Sequence, residues 1–134
     1  MTAPRRTLKS TVVRFTWCWV IVFIPIETYL SFRREAIPVS GYAVNVLGVG
    51  IMVWALVCLR RGRPYAAGLL ATGWAWTTAV FWRATNLRYA IAGDGEPLDF
   101  GNLELWLAPA CTVLAGAALA GSLVLLIRGS ERDL

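Results

Sequence analysis

The chain is built from four long apolar runs separated by short polar breaks. The first extends from about Val12 to Phe32. The second, Val39 to Leu59, follows a break carrying Arg33, Arg34 and Pro38. The third opens at Tyr65, behind Arg60, Arg61, Arg63 and Pro64, and reaches Tyr89; the fourth runs from about Leu103 to Ile127. A hydrocarbon core about 30 Å thick takes about 20 helical residues to cross, and every run meets that length. Lipid offers no partner for backbone N–H and C=O groups, so each run is expected to be helix and not open strand. The expected fold is an all-α integral membrane protein, four transmembrane helices in a single up-down-up-down bundle. Residues 1–11 and 128–134 are left as short tails.

Composition agrees with lipid-facing helices. The 134 residues are 57% apolar, and the mean hydropathy is +0.59, high for a soluble domain of this length. A soluble helix needs one apolar stripe, whereas these runs are apolar nearly all round. The basic flank of the first run, Arg5, Arg6 and Lys9, would suit a signal peptide. However, Glu27-Thr28-Tyr29-Leu30 follows without a small-x-small cleavage pattern, so the run is expected to be retained.

The formal charge of +5 comes from 13 Lys and Arg against 8 Asp and Glu. The basic residues cluster at the ends of apolar runs, as anchors to anionic headgroups do, and form no stripe suited to nucleic acid. Arg5, Arg6, Lys9, Arg14, Arg60, Arg61, Arg63, Arg128 and Arg132 fall on one side of the expected bilayer; Arg33, Arg34, Arg83 and Arg88 fall on the other. By the excess of basic residues both termini are expected in the cytoplasm. Lys9 is the one lysine, and that arginine bias points to a GC-rich bacterial genome and so to the bacterial cytoplasmic (inner) membrane. Trp17, Trp19 and Trp54 fall toward the inner side, Trp82 and Trp106 toward the outer interface, and Trp74 and Trp76 near mid-membrane.

Candidate chemistry is sparse. There is no histidine, and Cys18, Cys58 and Cys111 show no metal-site spacing, so no metal or other cofactor is expected. Small residues recur at helical spacing in the last run (Ala108, Cys111, Ala115, Ala118, Ser122; also Ala117 with Gly121), in the second (Gly41, Gly48) and in the third (Gly68, Thr72). Such faces let helices approach closely. They are expected to serve packing within the bundle, with a homo-oligomer or larger membrane complex as the other use.

Ionisable groups within lipid are costly and usually face a bundle interior, a partner or water. Glu27 lies roughly 7–8 Å inside the outer end of its run, given the helical rise per residue. Arg83 lies in the outer part of the third run, and Asn86, Ala79 and Trp76 share its face. Glu104 opens the fourth run behind Asn102, a plausible N-cap, and Asn45 shares a stripe with Gly41, Gly48 and Met52. Glu27, Asn45, Trp76, Arg83, Asn86 and Glu104 are therefore the expected ligand or ion-pair pocket near the outer leaflet, with Tyr29, Tyr42, Arg88 and Tyr89 around it. Glu27 and Glu104 are the candidate catalytic carboxyls. Each residue also has a structural reading: Arg83 snorkelling to headgroups, Glu104 at a positive helix end, Asn45 bonding a neighbouring helix, Glu27 paired with Arg83 or protonated. The connection from Gly93 to Asn102 carries Asp94, Glu96 and Asp99 without calcium-loop spacing, and is expected to be a solvated turn or a lid.

A four-helix chain of this size with Glu27 in its first helix superficially resembles the small multidrug resistance exporters. It departs from them in the outer position of Glu27 and in its long third connection. The segment Ile24-Pro25-Ile26-Glu27-Thr28 faintly resembles the Pro-x-Glu-acidic motif of membrane lycopene cyclase subunits, with Thr28 where the second acid belongs. Neither resemblance covers enough of the chain to assign a family. The expected function is a non-catalytic accessory, assembly or small-ligand-binding subunit. The alternatives are a proton-coupled transporter or channel switching on Glu27, and an intramembrane acid–base enzyme acting on a lipid or isoprenoid.

Overall fold

The computed structural model describes residues 3–33, 39–98 and 101–130. Among them the chain is all-helical: α1 spans Ala3–Arg33, α2 Val39–Arg60, α3 Ala66–Gly93 and α4 Leu103–Ser130. Helices α1, α2 and α4 are long and apolar enough to cross a membrane. α3 falls short on composition, because threonines, tryptophans and Arg83 interrupt its aliphatic residues.

The helices overrun the apolar runs that announce them. α1 begins at Ala3 instead of near Val12, and Pro4 sits in its first turn, where a missing N–H costs nothing. α3 continues past Tyr89 to Gly93. Helix is ended by backbone chemistry, not by loss of hydrophobicity. After α2, Gly62 takes φ 67°, Gly62 N–H donates to Leu59 O and Arg63 N–H to Cys58 O. After α3, Gly95 takes φ 76°, Gly95 N–H donates to Ala92 O and Glu96 N–H to Ile91 O. Both are Schellman turns, in which a left-handed residue closes the last carbonyls, and glycine adopts that conformation without strain. Pro25 and Pro109 lie inside α1 and α4.

Helix α3 packs along both α4 and α2, while α1 packs against α2 and α4. α1 and α3 therefore occupy one diagonal of the bundle, and α2 and α4 the other. The residue pairs fix the directions. Val44 and Met52 of α2 meet Trp76 and Gly73 of α3, so these two helices are antiparallel. Gly68 meets Leu126 while Arg88 meets Glu104, so α3 and α4 are antiparallel too.

Rings fill the α1–α3 diagonal. Phe15, Trp19 and Phe23 recur every fourth residue on α1, one face of a helix. They meet Trp74 and Phe81, seven apart on α3: Phe15–Trp74 and Trp19–Trp74 at 5.5 Å between centroids, Trp19–Phe81 at 5.5 Å and Phe23–Phe81 at 5.7 Å. Trp74 is fully buried, and its Nε1–H donates to Thr16 Oγ1 at 3.1 Å. Thr16 in turn donates to Val12 O at 2.8 Å, so the one strong polar atom of the central indole is satisfied without water.

Where backbones approach, side chains are small. A Cβ added at Gly73 would lie 2.7 Å from Met52 Cγ, and one at Gly48 would lie 2.6 Å from Trp76 Cδ1. Ala108, Ala115, Ala118 and Ser122 of α4 are all buried, with Cys111 half-buried between them. That face packs within the bundle.

Replacing Trp74 by Ala is expected to destabilise the bundle by about 3 kcal/mol, the low end for emptying an aromatic core site. The low end applies because packing, more than transfer from water, is lost in a lipid-like medium. Thr16→Val, which strands the indole N–H, is expected to cost about 1–2 kcal/mol. Equilibrium unfolding in mixed micelles measures both, and equal stability of wild type and Trp74→Ala would refute this account of the core.

Candidate functional site

The densest polar cluster among the described residues lies where α3 ends and α4 begins. Glu104 sits in the first turn of α4, where the helix dipole favours a carboxylate. Arg88 faces it from α3, and its Nε–H donates to Glu104 Oε2 at 2.6 Å. The carboxylate side chain is only 8% exposed and the guanidinium side chain 26%, so this pair is largely shielded from solvent. Arg88 Nη1 also donates to Ala84 O at 3.1 Å, which braces the side chain along its own helix.

Two further contacts extend the cluster. Tyr89 Oη donates to the Leu105 carbonyl at 2.9 Å. Deeper in the bundle, Thr85 and Thr112 bring their hydroxyl oxygens to 3.1 Å. Each also lies within bonding distance of its own helix, Thr85 to Phe81 O at 2.8 Å and Thr112 to Ala108 O at 3.0 Å. Each hydroxyl has one proton, so one threonine donates across the interface while the other donates back to its own helix. Tyr89–Leu105, Arg88–Glu104 and Thr85–Thr112 thus form a polar ladder joining α3 to α4.

The other expected site residues are distributed more widely. Arg83 is exposed on α3. Asn86 is exposed as well, and its Nδ2 donates to Trp82 O at 3.0 Å within the same helix. Ala79 and Trp76, on the same face, are also exposed. Trp76 reaches sideways over Gly48 and donates from Nε1 to Val44 O at 3.2 Å, tying α3 to α2. Asn45 is half-buried on α2, flanked by the exposed Val44 and Val46, with the buried Gly48 three residues on. Tyr42 Oη lies 3.2 Å from Thr28 Oγ1 and links α2 to α1 at the same end. Tyr29 is exposed. Glu27 lies within α1, but its side chain falls outside the described residues, as do Asp99 and Phe100 of the third connection.

The structure therefore joins Glu104 to Arg88, a residue expected only at the pocket's margin, and turns Arg83 and Asn86 outward on α3. Thr85 and Thr112 were not anticipated. A signal for Arg88 existed in the sequence: Trp74, Phe81 and Arg88 follow one another at seven-residue spacing, the same stripe that carries the core rings. Among the described residues no group of histidine, cysteine, aspartate and glutamate side chains is placed to hold a metal ion. No protein-family model, no curated protein and no solved structure matches this chain.

Arg88→Ala is expected to leave a shielded carboxylate unpaired and to cost about 3 kcal/mol, the lower bound for breaking a buried pair, since Arg88 keeps some exposure. The double replacement Arg88→Met with Glu104→Leu removes both charges and should recover most of that loss. Unfolding curves of the single and double variants in detergent decide the matter; a double variant no more stable than Arg88→Ala would show that the pair is not what couples these helices.

Proposed function

We propose that this chain is a four-span integral membrane protein of a bacterial cytoplasmic membrane, with both ends in the cytoplasm, serving as a non-catalytic accessory or assembly subunit. Three apolar helices support the membrane assignment. The fourth span is supported by geometry: α3 runs antiparallel to α2 and α4 between them, and its 28 residues extend about 42 Å, more than the hydrocarbon core. The arginine bias and the basic N-terminal, α2–α3 and C-terminal segments support the compartment and the orientation.

The observation that carries the functional reading is the outward face of α3. Exposed positions on the other helices are mainly large and apolar, such as Ile21 and Val22 on α1, Val46 and Leu47 on α2, and Val113 and Leu114 on α4. On α3 the exposed positions include Trp82 and Leu87, but between them run Thr72, Ala75, Trp76, Ala79, Arg83 and Asn86. A face on which Thr72, Ala75 and Ala79 lead to a guanidinium and an amide among larger apolar residues suits another polypeptide better than lipid tails alone, because helices associate through close approach and hydrogen bonds. Two copies paired symmetrically through this face would set Arg83 beside Arg83, which favours a partner of different sequence with an acceptor at that level. Glu104, a carboxyl that an acid–base reaction would draw on, is engaged by Arg88, and this favours a structural role for it.

A photo-crosslinking residue at Ala79 is expected to join the full-length chain to an integral membrane partner, and one at Ala117 on the exposed face of α4 is not. Arg83→Ala with Asn86→Ala should abolish the Ala79 product while leaving the chain folded. A chain that purifies in mild detergent as a lone monomer, with no product at Ala79, argues against the reading.

Orientation has its own check. Reporter fusions at the C-terminus and within residues 61–65 should both read cytoplasmic, and a fusion in the Gly93–Asn102 connection external. The opposite pattern overturns the topology.

A further inference from the structure

Among the described residues the carboxylates gather at one end of the bundle. Lys9, Arg14, Arg60, Arg61 and Arg63 are exposed at the end where α1 begins and α2 finishes. The described acidic side chains, Asp94, Glu96 and Glu104, lie at the opposite end, so among the described residues no carboxylate faces these cations. Such an end attracts anions, and one part of it is organised more closely than bulk attraction requires.

Arg60, the last residue of α2, places its guanidinium carbon 5.2 Å from the centroid of the Trp17 ring on α1. A cation over an indole face is held by the ring quadrupole, so Arg60 reaches from the end of α2 to the side of α1. The Schellman turn that follows fixes the backbone of Arg61 and Arg63 immediately beside it. Arg14, three residues before Trp17, continues the same face of α1. In the other direction Ile21 and Ile24, four and seven residues after Trp17, are 64% and 43% exposed. Cations therefore stand at the head of an apolar track that runs along α1 toward the middle of the bundle. This is the chemical profile of an anionic lipid, a phosphate joined to a hydrocarbon chain, whereas a free phosphate ion has no use for the track.

We propose that the surface shared by α1 and α2 at this basic end binds an anionic phospholipid, its phosphate at Arg60 with Arg14, Arg61 and Arg63 around it and an acyl chain along Ile21 and Ile24. Guanidinium groups suit this task because their planar forks match phosphate oxygens. The site rests on the reading of the chain as a membrane protein.

The test uses the full chain in nanodiscs containing equal phosphatidylglycerol and phosphatidylcholine, released into native mass spectrometry. Wild type is expected to retain phosphatidylglycerol over phosphatidylcholine by at least about tenfold, from a few basic contacts near the surface. Arg60→Gln with Arg61→Gln and Arg63→Gln should lose that preference, and Arg83→Gln, at the other end, should keep it. Ile21→Ser with Ile24→Ser should reduce retention without any change of charge. Retention that inorganic phosphate displaces would identify a phosphate site and overturn the lipid assignment. Equal retention of both lipids by wild type, which needs no variant to fold, overturns the proposal outright. A chain that stays outside the bilayer overturns the membrane reading and the site with it; a chain that inserts without lipid preference overturns the site alone.

Discussion

In a bundle whose outer surface is apolar, helices gain little by hiding apolar side chains from one another, because the surrounding medium is as apolar as they are. Close fit and internal hydrogen bonds must then decide which faces meet. The contact on which the others depend here is Trp74 against α1. Its ring fills the α1–α3 diagonal together with Phe15 and Trp19, and its N–H is satisfied by Thr16. Fixing Trp74 inward fixes the rotation of α3. That rotation places Gly73 against Met52 on one side and Thr85 against Thr112 on the other.

Once α3 is set, its two arginines take different fates. Arg83 and Arg88 are five residues apart, about 140° round a helix, so they cannot both face inward. Trp74, Phe81 and Arg88 share one seven-residue stripe, and Trp76 and Arg83 share another. The first stripe carries the buried rings and then the ion pair; the second is exposed. The unequal roles of the two cations follow from where the largest indole sits.

This also explains what could be read from the sequence. Four helices and their order were legible, because long apolar runs bounded by arginine, proline and glycine leave few alternatives. The inward packing of Ala108, Ala115, Ala118 and Ser122 was legible as a small-residue face. The helix ends were less so: α1 extends through charged residues because Arg and Lys are adequate helix formers. The partner of Glu104 was not legible from composition, since Arg83 and Arg88 are chemically identical and differ only in phase. Phase is a property of tertiary packing, visible beforehand only to a reader who extends the Trp74–Phe81 spacing by one more step. The same lack of phase led Arg83, Asn86 and Trp76 to be grouped with Glu104, when their common face points away from it.

The ion pair bears on how such a bundle assembles as well as on how it is held. An isolated α3 would carry Arg83 and Arg88 through lipid on a helix of only moderate hydropathy, and each arginine near a bilayer centre costs about 2.5–3.5 kcal/mol, less toward the interface. Pairing Arg88 with Glu104 offsets part of that cost, but only when α4 is already alongside. The α3–α4 connection suits such joint entry: α3 closes on the Gly95 Schellman turn, and Gly101, at φ 59°, lies two residues before α4. The least apolar of the three later helices is also the one with the most extensive contacts to its neighbours. Arg83 is left on the outward side, without an ion pair among the described residues. A bundle that neutralises one arginine internally and displays the other leaves the displayed guanidinium to headgroups, water or a second chain, and the last of these is what the proposed subunit role draws on.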